Sequence, residues 1–210
     1  MNASAFAKLV SIWAEIMTQN RDWLIQLDSV VGDSDLGLTM SDGFRAAAAA
    51  VKDSPMQDIG KLAYQAGKAM ASAVPSTMGT LMASGLMNAG KVLKGRETLE
   101  AADEAAFFQA YFDGVQNRGK AALGEKTFLD GLGPAVEALR AAQADGLGEA
   151  QCAAQAAEAA LQAFQQTRGM LAKHGRMAIR GEQSRDMLDP GAAVAALLMK
   201  GYADLKADSE

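Results

Sequence analysis

The sequence predicts an all-α fold: an up-and-down bundle of antiparallel helices joined by short connections. Three observations carry the prediction. Alanine, the strongest helix former, supplies 44 of the 210 residues, whereas Val, Ile and Thr together supply 21. Apolar residues recur at helical spacing in one segment after another. Glycine, proline and short polar residues cluster between those segments. The 50% hydrophobic content and two tryptophans belong to a packed chain rather than a disordered one. The length fits one large domain or two small ones. No internal repeat and no Pro/Gly/Ser linker marks a boundary, so 1–210 reads as a single domain.

The elements follow in order. Phe6, Leu9, Val10, Trp13, Ile16 and Met17 form one apolar face of a first helix. A second, short helical stretch runs through Trp23, Leu24 and Leu27. Residues 28–37 read as a loop, and helix resumes around Ser41, through the alanine tract 46–50, to about Lys52. Residues 58–73 form the next helix. Val74 and Pro75 break it, because proline lacks a donor and disfavours helix in the residue before it. Helix restarts through Leu81, Met82, Leu86 and Met87 and ends at Gly95. Thr98 is expected to cap a helix reaching about 119. A further helix runs from Lys126 or Thr127 to Ala144. Asp145 and Gly146 turn the chain into what is expected to be the longest helix, about 147–171, with Leu161 and Phe164 on its inner face. Residues 175–188 are polar and irregular. Asp189 then caps a last helix with Pro190 in its first position. The total is about eight helices.

Composition also excludes functions. A net charge of -5 with no basic run argues against nucleic acid as a partner. No apolar stretch reaches the length of a membrane span. The N-terminus lacks a charged region followed by an apolar run, so no secretory signal is expected and the expected location is the cytoplasm. The single cysteine, Cys152, excludes an internal disulfide and reads as a packed thiol. The single histidine, His174, rules out a histidine-based metal cluster. Any metal chemistry falls to carboxylates.

Four irregular segments are where chemistry can sit. In the first, Asp28, Asp33 and Asp35 lie within eight residues, with Gly32 and Gly37 among them. Three carboxylates that close repel one another, and a divalent cation relieves the repulsion. Oxygen-only ligation with waters suits Mg²⁺. The plainer alternative is a polar turn whose aspartates cap the following helix. The second segment, 75–80, places Ser76 and Thr77 at a helix start, which is either an anion site or ordinary capping. There is no P-loop and no dinucleotide fingerprint. The third, 118–127, sets Arg118, Lys120 and Lys126 around glycines, or is simply a solvated loop. The fourth runs from Lys173 and His174 to Asp189, Pro190 and Gly191, and its last three residues are explained by capping alone. If these segments gather at one end of a bundle, they form a Mg-nucleotide site.

The motifs resemble a known family. Leu27-Asp28 followed by Gly32-Asp33-Ser34-Asp35-Leu36-Gly37-Leu38-Thr39-Met40 is similar to the L-D-x3-G-D-x-D-x-G-x-N-M signature of the nucleotide-binding L subunit of dihydroxyacetone kinase, the DAK2-domain family. Asp113-Gly114, Arg118-Gly119-Lys120 and Lys126-Thr127 resemble that family's D-G, R-G-K and D-K-T elements. Gly175-Arg176, Gly181-Glu182, Ser184 and Asp189-Pro190-Gly191 resemble its G-R, G-E-R-S and D-P-G-A elements. The resemblance spans nearly the whole chain.

It implies an eight-helix antiparallel barrel with nucleotide in the loops at one end, and two Mg²⁺ ions bridging aspartates and phosphates. By resemblance, Asp28, Asp33 and Asp35 are the metal ligands. Gly37, Leu38 and Thr39 line the phosphate side, with Thr77 and Met78 at the helix start beside it. Gly119, Phe128, Asp189, Pro190 and Gly191 surround base and ribose, and Arg176 contributes. The implied activity is phosphoryl donation from Mg-ATP to a short ketose held by a separate K subunit. Either ATP exchanges freely, or bound ADP is recharged by a phosphocarrier subunit of a phosphotransferase system. The chain departs from the pattern at Thr39 (family Asn), at Pro75-Ser76-Thr77-Met78-Gly79 (family G-G-A-S-G) and at Gln183 (family Arg). These departures fit another short ketose, such as a four-carbon one. Two other readings stand beside the kinase. One is a non-catalytic helical adaptor that binds a kinase subunit or a transcription regulator. The other is a Mg-dependent all-α phosphohydrolase, whose carboxylates usually come from several helices rather than one loop.

Overall fold

The structure, a computed structural model, describes residues 1–208. In chain order its helices are α1 (Ala3–Gln19), α2 (Arg21–Ser29), α3 (Leu36–Val51), α4 (Ile59–Ala73), α5 (Thr77–Val92), α6 (Ala101–Gly119), α7 (Phe128–Ala144), α8 (Glu149–Gln166) and α9 (Pro190–Ala207), with a 3-10 segment at Arg176–Asp186. Among the described residues the one extended pairing is a single bridge between Asn2 and Thr98. No helix there is long and apolar enough to cross a membrane. The chain packs as two compact units, one of Met1–Gln19 and Leu38–Gly119, the other of Asn20–Gly37 and the residues from Lys120 onward.

The first unit is built on rings and close helix crossings. Trp13 of α1 meets Phe44, Phe107 and Phe108 at centroid distances of 6.1, 6.3 and 6.5 Å. Such contacts add about 1 kcal/mol each beyond burial. Asp58 caps α4 by accepting from Lys61 N–H at 3.0 Å, and Ser76 caps α5 by accepting from Gly79 N–H at 3.0 Å. Between them Val74 and Pro75 interrupt the helix, as proline chemistry requires. Helices α4 and α5 approach closely at Gly60 and Gly90. A Cβ on Gly90 would stand 2.5 Å from the Gly60 carbonyl oxygen and 2.7 Å from the Tyr64 nitrogen.

The second unit packs α7, α8 and α9 through small residues. Ala153, Ala156, Ala160, Ala192, Ala193 and Ala195 are all fully buried. Trp23 of α2 packs edge-on against Phe164 of α8 at 5.9 Å. Thr127 caps α7, and Asp130 reaches back to the Thr127 N–H at 2.7 Å, closing a capping box. Asp189 caps α9, accepting from Ala192 N–H at 2.6 Å, with Pro190 in the first turn.

Several boundaries differ from the sequence expectation. Helix α3 begins at Leu36 rather than near Ser41, because the Asp28 carboxylate accepts the Leu36 N–H at 3.3 Å and starts the helix early. Thr98 does not cap α6; it is held in the bridge to Asn2, and the helix starts at Ala101. Helix α8 stops at Gln166, so the 19-residue α6 exceeds its 18. Leu161 lies on the exposed face of α8 at 43% accessibility, whereas Phe164 is buried as expected. The irregular stretch 175–188 contains the 3-10 segment, which bends at Gly181 where φ is +55°.

Two predictions follow from the packing. Gly90→Leu forces α4 and α5 apart and should lower stability by about 1–3 kcal/mol or more, read as a fall in the urea midpoint. The second concerns Asp189, whose carboxyl burial pushes up to about 7 against the opposing Ala192 hydrogen bond. The folded chain then keeps a proton that the unfolded chain releases near pH 4. Stability is therefore full below that point and falls as pH rises towards 7. Asp189→Asn retains the capping oxygen and cannot ionise. Between pH 5 and 8 the wild type should lose on the order of 3 kcal/mol that the variant keeps, measured by urea unfolding at each pH.

Candidate metal centre

The centre is built on the turn between α2 and α3. At the end of α2, the Asp28 carbonyl accepts N–H bonds from Val31 (2.9 Å) and Gly32 (2.6 Å). The Asp28 side chain turns back and its Oδ2 accepts from Asp35 N–H (3.1 Å) and Leu36 N–H (3.3 Å). A Cβ on Gly32 would collide with that carboxylate, so the tight turn requires glycine there. Ser34 sits at φ +66°, a left-handed conformation that costs a non-glycine residue about 1 kcal/mol. It reverses the chain between Asp33 and Asp35. One carboxylate oxygen from each of Asp28, Asp33 and Asp35 then lies within 4.8 Å of the others.

The electrostatics suit a hard cation. Burial, then the charges of Asp33 and Asp28, raise the Asp35 carboxyl above its ordinary value, while Arg176 opposes them. Asp28 is half-buried, and Asp33 and Asp35 are exposed, which leaves room for waters or phosphate oxygens. Oxygen-only, partly solvated ligation fits Mg²⁺ and lacks the nitrogen or sulfur donors of a zinc site. It is the one such group among the described residues. Asp28 therefore does both things the sequence allowed: it caps α3 and it joins the carboxylate cluster.

A strap, residues 167–189, flanks this turn. Arg176 Nη2 pairs with Asp33 Oδ2 at 2.5 Å, and Arg180 Nη2 donates to the Val30 carbonyl at 3.2 Å. Val31 packs with Ala172 and Met177 in a small buried cluster, with Met187 against it. Glu125 holds the strap from the other side. It accepts from His174 Nε2 (2.5 Å) and Ala122 N–H (2.8 Å), and pairs with Lys173 (3.5 Å). The His174 hydrogen bond is the chief reason its carboxyl is held down to about 2.

The remaining expected residues fall into groups. In the second unit, Phe128 opens α7 and Asp189, Pro190 and Gly191 open α9; a Cβ on Gly191 would stand 2.9 Å from the Phe128 nitrogen, so the two helix starts abut. Gly37 is buried against the Arg21 carbonyl of α2, which a side chain would strike. In the first unit, Leu38 is 47% exposed and Thr39 is buried, both in the first turns of α3. Thr77 and Met78 are the first residues of α5, and Gly119 ends α6 beside Leu81. A cavity of about 750 Å³ elsewhere in the first unit, lined by Tyr64, Lys68, Lys91 and Lys94 among others, contains none of these residues.

Sequence reasoning missed one residue of consequence. Lys126, placed in a solvated cationic loop, is only 2% exposed, and its ammonium donates to three backbone carbonyls. Its backbone φ of +63° has no sequence signal in a lysine.

Comparison with known proteins bears on the same residues. The sequence matches the DAK2 domain over residues 30–204. It is 31% identical over 186 residues to the ADP-binding subunit DhaL of the PEP-dependent dihydroxyacetone kinase of Escherichia coli, covering 89% of each chain. It is 33% identical over 201 residues to the L-erythrulose 1-kinase of Mycolicibacterium smegmatis, covering 93% of this chain but 34% of that protein. The crystal structure of the dihydroxyacetone kinase from C. freundii with AMP-PNP and Mg²⁺ has the same all-α fold, with a TM-score of 0.71 at 23% identity over 94% of this chain and 33% of that one. The chain thus spans about a third of the two longer kinases and nearly the full length of the E. coli subunit. With the DAK2 match covering most of its length, the chain belongs to the DAK2-domain family.

Proposed function

We propose that the chain is the nucleotide-binding, phosphoryl-donating subunit of a dihydroxyacetone-type kinase, incomplete without a partner that holds the sugar. The observation that carries this is the convergence of Asp28, Asp33 and Asp35 within one turn, in a chain 31% identical to an ADP-binding kinase subunit. Asp28, Asp33 and Asp35 would hold Mg²⁺, one ion or two, and the metal would supply charge neutralisation for phosphate oxygens of ADP or ATP.

The chain's own residues divide the remaining work. The hydrogen bonds to Asp28 fix the direction of its carboxylate before any ion arrives. Arg176, beside Asp33 and 63% exposed, offers a guanidinium to phosphate oxygens. Phe128 and the Asp189-Pro190-Gly191 turn, where the starts of α7 and α9 abut, are candidates for contact with base and ribose. Gly37, Leu38, Thr39, Thr77, Met78 and Gly119 are further candidates for nucleotide contact. The carboxylates of the centre are assigned to the metal, and Asp33 also pairs with Arg176, so none is assigned as the base for a sugar hydroxyl. We assign the acceptor ketose and its base to a separate K subunit, a reading supported by relatives named as the ADP-binding subunit of a kinase.

The ketose is dihydroxyacetone or a close four-carbon relative, a range supported by the names of the dihydroxyacetone and erythrulose kinases it resembles. The PEP-dependent relatives support a phosphocarrier subunit that recharges bound ADP. Retention of labelled ADP through gel filtration would favour that scheme over free exchange with ATP. We place its working location in the cytoplasm.

The test is calorimetry with ADP and MgCl₂. Wild-type chain should bind, and Asp33→Asn or Asp35→Asn should weaken binding at least about tenfold with unchanged circular dichroism. Unchanged affinity in both variants, or full ketose phosphorylation by the purified chain alone, contradicts the reading.

A further inference from the structure

The strap 167–189 is closed at its base by a ladder of contacts. Asp189 N–H donates to Thr167 Oγ1 (3.0 Å), Gly169 N–H to the Arg185 carbonyl (2.7 Å), Arg185 Nη1 to the Gly169 carbonyl (2.7 Å) and Ala172 N–H to Ser184 Oγ (3.1 Å). At the centre of this ladder sits Lys126. Its Nζ donates to the carbonyls of Ser184 (2.5 Å), Met187 (2.6 Å) and Met170 (3.3 Å), which come from both arms of the strap. An ammonium has three donors, and here all three are used. Burial lowers its pKa from the ordinary lysine value, and the nearby Asp189 charge opposes that. A buried lysine spent wholly on backbone carbonyls, reached through a left-handed backbone, contributes nothing to a ligand directly. It fixes a loop.

What that loop carries is Arg176. Between the tied arms the strap reaches the carboxylate turn, where Arg176 pairs with Asp33, Arg180 holds the Val30 carbonyl and Met177 packs on Val31. We propose that Lys126 is a positioning residue: by joining the two arms of the strap it holds the Arg176 guanidinium at Asp33, so that the carboxylate turn meets a divalent cation with a fixed positive charge beside it. This rests on the metal reading given above. The consequence is selectivity for what accompanies the ion. A bare divalent cation must compete with Arg176 for Asp33. A cation carried by a nucleoside diphosphate brings anionic oxygens that the guanidinium can take instead. The tied strap thus disfavours the naked ion and tolerates the metal–nucleotide complex.

Mn²⁺, a hard divalent cation whose free form is counted by its electron paramagnetic resonance signal, tests this at low ionic strength without nucleotide. Lys126→Met and Arg176→Ala should each tighten binding of bare Mn²⁺, by about three- to tenfold. The double variant should bind no tighter than the tighter single, because both act through one group. Ser184→Ala, which loosens the same base without leaving three carbonyls bare, should move affinity in the same direction by less, and serves if Lys126→Met fails to fold. Hydrogen exchange gives an arm independent of any metal: the amides of Gly169, Ala172 and Met187 should lose protection in Lys126→Met and Ser184→Ala while those of α7 keep it. Wild-type protection of the strap in both variants overturns the tie. A tightened Arg176→Ala with unchanged Lys126→Met and Ser184→Ala shows that Arg176 stays in place unaided and overturns the positioning role. A wild-type chain that binds Mn²⁺ neither alone nor with ADP overturns the carboxylate reading and the selectivity built on it, while the exchange arm still decides whether Lys126 closes the strap.

Discussion

Three like charges forced into one turn are the constraint around which the second unit is organised. Oxygens of Asp28, Asp33 and Asp35 lie within 4.8 Å of one another. A free loop would relax by swinging the side chains into solvent. Here each route of relaxation is restrained. Asp28 is engaged by two amide groups at the start of α3, so that leaving would uncap a helix. The left-handed Ser34 sets Asp33 and Asp35 on converging paths. Arg176 offsets part of the charge at Asp33 from outside the turn. The helix start, a strained residue and a borrowed cation share the task. The raised carboxyl of Asp35 reflects burial first, and then the repulsion from Asp33 and Asp28 that these restraints leave in place.

How far this was legible in the sequence depends on how local each cause is. Helical periodicity, proline breaks and the Asp189-Pro190 cap act within a few residues, and those elements were placed correctly. The carboxylate turn was found as well, since its three aspartates lie within eight positions. The errors share a different origin. Helix α3 starts five residues early because of a side chain on the preceding helix. Thr98, a good capping residue by type, is taken by a bridge to Asn2, 96 positions away in sequence. Leu161 shows that an apolar residue within a helix is not evidence of an inward face when the buried stripe is already filled by Ala153, Ala156 and Ala160.

Lys126 is the clearest case of a role with no local signature. By type and neighbours it is a surface cation before a helix. Its partners, Met170, Ser184 and Met187, lie 44 to 61 residues further on and offer only backbone carbonyls, which every residue has. No residue type in the partner segment could have announced the interaction. Family resemblance flagged the lysine within its D-K-T element but said nothing of its burial. Glu125 and His174 are similar: each is unremarkable alone, and their 2.5 Å contact joins two loops that sequence reading had treated separately.

The division of labour follows from what helices can and cannot do. Inside a helix every amide and carbonyl is engaged, so a helical fold has few backbone groups to offer a ligand or a loop. Those it has are at the helix starts, and the second unit uses them: α3 receives Asp28, α7 begins at the Thr127 cap, and α9 begins at Asp189 beside Phe128. Carbonyls outside helices pose the opposite problem, since those of a buried strap need donors. Lys126 answers it with three donors on one atom, which no neutral side chain could supply. A positive charge buried for that purpose needs compensation within reach, and Asp189, once ionised, raises the lysine's affinity for its proton while its side chain serves as the cap of α9. The same residue pair therefore secures the strap and a helix start. A substitution at either should be felt at both, and the two cannot be treated as separate stabilising features.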